Sequence, residues 1–568
     1  MWILQKKIFS ENLSKITIDW EDYILITDEE FERIKTQEAE IIIFGTIWPR
    51  VSEQSNYSKI NNFKNWITNL YLENGLNFIN KIKGDFCILI YEKGNIFCFN
   101  DYFGFTPIYI SEDNSMISND FCVISKLYNE INYNAIPEHI LYNRLIKEST
   151  FLKNVKNLQG ANKIQFNYNQ INREKYWKPK QIQKNKINKN ITIKYLVNLI
   201  SSNTSFFFNF YLPNKTVVTL TGGKDSRSAL AAMLHSKIKP TGISYGNPDS
   251  KDVVYAKKIA NELNLPFINK NLDQNSSQLN IIVNELLEKH PMKSIHRAHR
   301  FYAFKSFEKV SDEKSVLFNG YLGGELLMGI YPDKLVFSDF ILQKINKSKN
   351  KMKFSVENSF YTESLIKLID LESQKIEDEI SDFEAIFLIG ITHHLQDIHL
   401  AKENFNYVFS FFLDIDFLEA LFQSKYNFQN LNNQTKNLIK RHKLYELNMS
   451  IQDNLAPQVG KVPYAKKGNY TLKDYKSGPI LWSLKKVLNF VNEKKFPANY
   501  VYNEYYISWL KEQLITILED DETTIHNYFN VKKALTELES FKEKSYSELS
   551  LNRFSRIVEF YYFLNSKK

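Results

Sequence analysis

Apolar positions fall into two regimes along the chain. In the first third, short apolar runs alternate with polar turns. Ile41–Phe44, Phe86–Tyr91 and Ile96–Asn100 have the length of strands, and Lys93-Gly94-Asn95 supplies a hairpin turn between the last two. Pro107–Ser111 and Lys163–Tyr168 fit two more strands. The apolar content stops at Tyr176-Trp177, and Lys178–Asn190 (KPKQIQKNKINKN) is polar, basic and aperiodic, as an interdomain linker is. Beyond it, strands alternate with helices. Thr216–Leu220, Lys239–Tyr245 and Ser315–Asn319 are compact strand-like runs, and Arg227–His235 reads as helix. Val253, Val254, Ala256, Ile259, Ala260 and Leu263 share one helical face. This alternation predicts a parallel sheet with helices on both faces. From Phe383 onward the chain reads mostly helical, and no internal repeat is visible.

Composition narrows the class. At 568 residues the chain exceeds a domain of roughly 100–200 residues, so two or three domains are expected. Hydrophobic residues at 43% and charged residues at 24% exclude a disordered chain. Lys and Arg number 73 against 64 Asp and Glu, and an excess of +9 is too mild for a dedicated nucleic-acid binder. Cys87, Cys98 and Cys122 are too few and too scattered for a disulfide framework or a zinc site. The apolar start, MWILQKKIFSEN, is short for a signal peptide, and Phe206–Leu212 and Val408–Leu413 fall short of the ~18 residues of a membrane span. A soluble, cytoplasmic protein with no nucleic-acid or membrane partner is expected.

One segment carries chemistry. Leu220-Thr221-Gly222-Gly223-Lys224-Asp225-Ser226-Arg227 lies between a buried strand and a helix. Two glycines let backbone N–H groups approach a ligand, and the helix N-terminus favours an anion. Thr221 and Ser226 add hydroxyls, and Asp225 offers a carboxylate to Mg²⁺, which prefers oxygen ligands shared with phosphates. The matching ligand is the pyrophosphate part of a nucleotide. The bland reading is a plain strand–Gly-Gly–helix turn.

The segment resembles the SGGxDS loop of ATP pyrophosphatases, with Thr221 for the first Ser, and its surroundings resemble the asparagine synthetase family. Gly84-Asp85-Phe86, with Asn100-Asp101 running on to Pro107-Ile108-Tyr109, is similar to the G-x-F…R-D-x-x-G-x-x-P-L-Y signature of its N-terminal domain. Tyr176-Trp177 matches the YW that closes that domain. Gly246, Asp252, Ala256 and Ala260 resemble the G…D-x-x-x-A-x-x-x-A stretch, and Asn319–Glu325 falls on the S-G-E-G-x-D-E loop. Asp397 and Phe412-Leu413-Asp414 resemble the D…P-F-L-D region. The resemblance implies an α/β protein: an N-terminal antiparallel β-sandwich of the Ntn-amidohydrolase type over 1–177, a linker over 178–195, and an ATP pyrophosphatase domain with a helical extension over 196–568.

Departures from the family pattern refine the expectation. The family's glutaminase nucleophile is an N-terminal cysteine, and Trp2 stands there; the N-G-E-Y-N glutamine-binding stretch is replaced by Phe44-Gly45-Thr46-Ile47-Trp48. The N-terminal domain is therefore expected to be a scaffold without glutamine hydrolysis, with Asp85 and Asp101 structural. Tyr321 replaces the synthetase-loop Glu and resembles the tyrosine of β-lactam synthetases, where a carboxylate partner helps it deprotonate an attacking nitrogen; Asp397 is the best-placed partner, beside His393-His394. The second metal-binding Asp falls on Gly324. Either Glu325 reaches Mg²⁺, or Asp225 alone bridges it with waters completing the shell. The lysine that meets departing pyrophosphate is assigned to Lys461, with Lys466-Lys467 as competitor. Lys224, Arg227 and the basic stretch His296–Arg300 line an acidic-substrate pocket or are solvated.

By this resemblance Leu220, Thr221, Gly222, Gly223, Asp225, Ser226, Ile243, Asn319 and Gly320 bind ATP, Asp225 also binds Mg²⁺, and Tyr321, Glu325, Lys461 and Asp397 carry catalysis. The expected reaction is ATP-dependent amide-bond formation through an acyl adenylate, closing a lactam or macrolactam or ligating two molecules. The substrate is a small molecule or peptide with a carboxylate and an amine, and a homodimer or a substrate-delivering partner fits. The alternatives are amidation with ammonia and a catalytically inactive nucleotide-binding scaffold.

Overall fold

The computed structural model describes residues 1–6, 16–20, 23–60, 62–142, 145, 148–167, 170–178, 187–272, 276–307, 314–328, 360–368, 371, 391–426, 442–465, 469–491, 496, 504–540 and 548–567. The middle of the expected linker, 179–186, lies outside them.

Strand β6 (Ile82–Glu92) is buried on both faces, and this sets the layers around it. Phe86, Ile88 and Ile90 join Ile41 and Ile43 of β5 (Ala39–Pro49) against the helix Phe63–Asn74. Cys87 and Leu89 join Ile42 and Phe44 on the opposite face, which is the two-residue period of a pleated strand. Burial on both sides is why these strands read as continuous apolar runs. The rest of the first third completes two six-stranded sheets: β1 (Trp2–Lys6), β2 (Ile16–Trp20), β3 (Tyr23–Thr27), β4 (Phe31–Lys35), β7 (Asn95–Asn100), β8 (Tyr109–Ser111), β9 (Met116–Ser118), β10 (Val155–Asn157), β11 (Asn162–Asn167) and β12 (Gln170–Lys175). Their orders are β10-β8-β9-β1-β3-β2 and β12-β11-β7-β6-β5-β4, and every pairing is antiparallel. The sheets share one core, in which Trp2 stacks on Phe44 at 5.4 Å. The indole therefore fills sandwich interior.

The second half holds a five-stranded parallel sheet, β13 (Lys215–Thr219), β14 (Thr241–Tyr245), β15 (Phe267–Lys270), β16 (Ser315–Phe318) and β17 (Tyr407–Phe409), ordered β15-β14-β13-β16-β17. The chain order reverses between β13 and β16, so their carboxyl ends open a crevice where ligands bind in such sheets. Strand β17 is a short interruption of the mostly helical stretch after Phe383; three apolar residues are too few for period to separate strand from helix.

Charges join the two halves. Lys83 is buried, with Nζ 2.7 Å from Asp414 Oδ2 and 2.6 Å from Asp416 Oδ2. Arg50 Nε lies 2.8 Å from Asp416 Oδ1. Asp414 also caps the helix Ile415–Gln423, accepting from the amides of Asp416 and Phe417 at 3.0 and 3.1 Å. Burial acts to raise the Asp416 pKa, but Lys83 and Arg50 outweigh it and hold the carboxyl at about 2. Nearby, Asp101 accepts from the amides of Phe103, Gly104, Phe105 and Thr106, while Asp85 Oδ1 accepts from Thr106 Oγ1 at 2.7 Å and Lys402 Nζ at 2.6 Å. Burial and the neighbouring Asp85 push the Asp101 carboxyl up to about 6. The two motif carboxylates thus build a turn and dock the helix Thr392–Ala401 through the lysine that follows it.

Lys83→Met should cost about 3–5 kcal/mol, because it leaves buried Asp414 without its cation and Asp416 with Arg50 alone. Asp414 and Asp416 act with opposite signs as pH changes, since burial raises the Asp414 pKa; the loss on acidification comes from Asp416. Its folded pKa lies below the unfolded 3.8, so its contribution is present above about pH 4 and is lost as pH falls towards 2. Urea denaturation at pH 7 and at pH 3 measures both effects; equal midpoints for parent and variant at pH 7 would contradict the ledger of charges.

Candidate active site at the carboxyl edge of the parallel sheet

The loop 220–224 leaves β13 and opens the helix Asp225–His235. It is pinned to β14: the Leu220 amide donates to the Ile243 carbonyl at 2.8 Å, and Ser244 Oγ donates to the Leu220 carbonyl. Within the loop, Thr221 Oγ1 and Ser226 Oγ lie 3.1 Å apart, and the Gly223 amide donates to Thr221 Oγ1 at 3.1 Å. The loop after β16 sits directly on this helix start. A Cβ at Gly320 would lie 2.5 Å from the Asp225 carbonyl carbon, and one at Gly323 would lie 2.9 Å from Asp225 Cγ. Only glycine permits so close a backbone approach at 320. Asn319 is fully buried; its Oδ1 accepts from the Tyr321 amide at 3.0 Å, and its Nδ2 has no hydrogen-bond partner among the described residues. Thr221, Gly222, Gly223, Asp225, Ser226, Ile243, Asn319 and Gly320 are thereby brought to one place, with Leu220 beneath them.

The cations near the loop are placed differently from expectation. Arg227 is fully buried, donating to the carbonyls of Gly222 at 3.2 Å, Val459 at 3.3 Å and Pro463 at 2.7 Å, with its guanidinium 4.3 Å over the Tyr464 ring. Burial pushes its pKa down to about 10, which leaves it charged at neutral pH. Lys224 Nζ lies 3.9 Å over the Tyr445 ring. Neither is a solvated charge. A Cβ on Gly222 would lie 2.2 Å from that of Ala465, whose amide donates to the Gly222 carbonyl at 2.8 Å. The first loop glycine therefore makes room for the segment that Arg227 holds. Lys461 is not brought in: its side chain is 66% exposed and pairs with Glu262 at 3.0 Å. Lys466, Lys467 and the Glu325 side chain lie outside the described residues.

Around Tyr321 the partners are histidine and arginine. The ring stacks on His394 at 4.9 Å, and the Leu322 amide donates to His394 Nε2 at 3.1 Å, so Nδ1 carries the ring proton of the neutral form. The Tyr321 hydroxyl is buried without a hydrogen-bond partner among the described residues. Burial first, then the charge of Asp397, push its pKa well above the usual phenol value, against the pull of Arg300 and Arg297. Asp397 does not hydrogen-bond it. Both carboxylate oxygens take Arg297 Nη1, at 3.0 and 3.1 Å, and Arg300 Nε lies 3.1 Å from Oδ2. Arg300 Nε also donates to the Tyr245 hydroxyl at 3.2 Å, at the end of β14.

Sequence reasoning missed Asn448 and Gln452. Asn448 Nδ2 donates to Asp225 Oδ1 at 2.9 Å, and Gln452 Nε2 donates to the Lys224 carbonyl at 3.1 Å. Their signal is an i, i+4 polar pair among the apolar positions of the helix Glu446–Leu455. Among the described residues no cluster of three His, Cys, Asp or Glu side chains could hold a metal. A Mg²⁺ carried in with phosphates would fit on Asp225 and water, the Glu325 side chain lying outside the described residues.

Gly320→Ala should destabilise the protein by about 1–3 kcal/mol, as an added methyl does in a filled interior. Its Cβ meets backbone, which cannot swing aside. Thermal denaturation of the variant checks this, and an unchanged midpoint would mean that the two loops separate freely.

Among curated proteins none matches the chain. Among solved structures it is similar to a glutamine phosphoribosylpyrophosphate amidotransferase from B. subtilis complexed with ADP and GMP, at 11% identity over 52% of this chain and 60% of that one, with a TM-score of 0.20. It is likewise similar to an allosteric regulatory enzyme of purine biosynthesis, at 10% identity over 57% of this chain and 64% of that one, with a TM-score of 0.20. The chain thus spans less than two thirds of either protein, and superposition this loose carries no argument. The family comparison is more local. Residues 51–177 match the family model described as a glutamine amidotransferase domain, so this part of the chain is similar to such domains.

Proposed function

We propose that the chain is an ATP-dependent carbon–nitrogen ligase working through an acyl adenylate. The observation that carries this reading is the interlock at the β13–β16 crevice. A phosphate-loop sequence heads an eleven-residue helix there, and the adjoining loop presents two buried polar atoms, Asn319 Nδ2 and Tyr321 Oη, with no hydrogen-bond partner among the described residues. The amides and hydroxyls of Thr221, Gly222, Gly223 and Ser226 would hold phosphate, Leu220, Ile243, Asn319 and Gly320 would border adenosine, and Asp225 would take the Mg²⁺ that accompanies ATP.

A carboxylate oxygen of the substrate attacks the α-phosphorus, and pyrophosphate leaves. An amine nitrogen then attacks the acyl carbon; its bond to the phosphate oxygen breaks, AMP leaves, and the amine proton passes to solvent. Tyr321 acts here as a donor. A phenol held protonated by burial can hydrogen-bond the acyl oxygen as charge grows on it, but is a poor base. Ammonia as the amine is the second reading, favoured by the amidotransferase-type domain. It would be free ammonia, because Trp2 is packed in the sandwich core.

The test is release of AMP and pyrophosphate from ATP against a panel of carboxylic acids with amines, ammonium or glutamine. Activity is expected with an amine or ammonium and not with glutamine. Asp225→Ala should lower it by at least about 10²-fold with the denaturation midpoint retained; a folded variant that still makes AMP at the parental rate removes the assignment. Tyr321→Phe should lower amide formation by about 10²-fold and leave ATP–pyrophosphate exchange intact. Parental amide formation by that variant would make Tyr321 a wall of the pocket.

A further inference from the structure

A cleft of about 690 Å³ opens where the N-terminal sheets meet the parallel-sheet half, and none of the residues that build the β13–β16 crevice lines it. That volume suits a small organic molecule. Tyr109 and Phe121 supply apolar wall from the first half of the chain, and Met292 supplies it from the second. Lys293 stands beside them, partly buried, with Nζ 2.8 Å from Nδ1 of His399, which also lines the cleft. His399 Nε2 lies 3.1 Å from the Gly104 carbonyl. A carbonyl can only accept, so Nε2 carries the ring proton. Nδ1 is then the lone-pair end of the ring, and the lysine donates to it.

Among the described residues no carboxylate pairs with this lysine, because those around it are engaged elsewhere. Asp397 takes Arg297 and Arg300. Glu403 takes His290 and, at 3.7 Å, Lys289. Lys402 holds Asp85. Across the cleft, Glu29 lies 2.9 Å from the N-terminal amine, and Asp120 accepts from the Cys122 amide at 2.7 Å. Glu288 is exposed, and burial keeps the Cys122 thiol neutral by pushing it up to about 11. Burial first, then Arg297, push the Lys293 ammonium down to about 7, against the pull of Asp397. Burial, then the charge of Lys293, likewise hold His399 well below the usual imidazole value, so it stays neutral.

We propose that Lys293 is a nucleophile and that the cleft takes an aldehyde or ketone, held on it as an imine. A lysine becomes nucleophilic when burial or a neighbouring cation strips its proton, and both act here. The Nζ lone pair attacks the carbonyl carbon, and the carbonyl π electrons move to oxygen. One amine proton passes through His399 Nδ1 to that oxygen. The remaining amine proton and the hydroxyl then leave as water while the C=N bond forms, and nothing is oxidised or reduced. The step needs no leaving group and no second reactant, which is why a carbonyl compound suits a cleft that offers an amine and a proton shuttle. The walls of Tyr109, Phe121 and Met292 suit an aromatic or aliphatic body. Since the cleft and the crevice share no residue, the proposal is independent of the reaction argued above.

The probe is benzaldehyde, with cyanoborohydride to fix the imine as a secondary amine, and peptide mass mapping of the full chain locates the labelled lysines. At pH 7 Lys293 should be labelled at least about tenfold faster than surface lysines, since an unperturbed lysine amine titrates near ~10.4. That preference should shrink as pH rises towards 10, where surface amines lose their protons too. Labelling at Lys293 should also saturate with benzaldehyde concentration, as it does when a ligand binds before it reacts. Lys293→Met should remove the saturating label and leave the others; the mapping of the parent decides whether or not that variant folds. Label spread evenly over the lysines overturns the proposal, because the amine is then no nucleophile. So does label at Lys293 that climbs linearly with aldehyde, because the cleft then holds no ligand.

Discussion

Lys83 lies between Asp414 and Asp416 in a place that neither half of the chain could keep charged on its own. A buried ion without its counterion costs several kcal/mol, so the N-terminal sheets and the parallel-sheet half each depend on the other. The same dependence recurs along the seam. Lys402 reaches back to Asp85, His399 lies 3.1 Å from the Gly104 carbonyl, and buried Glu559 near the C-terminus takes His139 at 2.6 Å and the Ile295 amide at 2.7 Å. These contacts tie the N-terminal sheets into the rest of the structure. Its motif carboxylates are structural, and its Trp2 is core.

The seam also positions the crevice. Asp414 caps the helix Ile415–Gln423 just after Phe412, and the Phe412 ring lies against Gly323 in the loop that seats on Asp225. One chain of contacts therefore leads from Lys83 to the start of the phosphate-loop helix. It passes through packed rings and backbone rather than flexible side chains, which is how an interior transmits position.

What the sequence disclosed follows from how each feature is encoded. Strands buried on both faces, such as β6 and β13, show as apolar runs and were legible. Strand β2 buries only Ile18 and Trp20, and β4 only Ile34, so their pattern is diluted by polar neighbours and they passed unread. The phosphate loop was legible because glycine and hydroxyl residues stand at fixed offsets on a contiguous segment. The surroundings of Tyr321 were not, since His394, Asp397, Arg297 and Arg300 come from distant segments. Lys461 was misleading for a related reason: position in the chain says nothing about where a long side chain points.

The electrostatics of the crevice follow from burial. An exposed lysine paired with Glu262 acts through water and is screened within about 10 Å. Lys224 and Arg227 are nine-tenths or more removed from solvent, and Arg227 is held through its two terminal nitrogens by backbone carbonyls and by an aromatic face, which orient it without cancelling its charge. In a medium of low polarizability a full positive charge reaches further than it does at the surface. The helix N-terminus lies beside them. The cations nearest the loop are thus residues flanking the loop itself, fixed in place by burial and by the rings of Tyr445 and Tyr464.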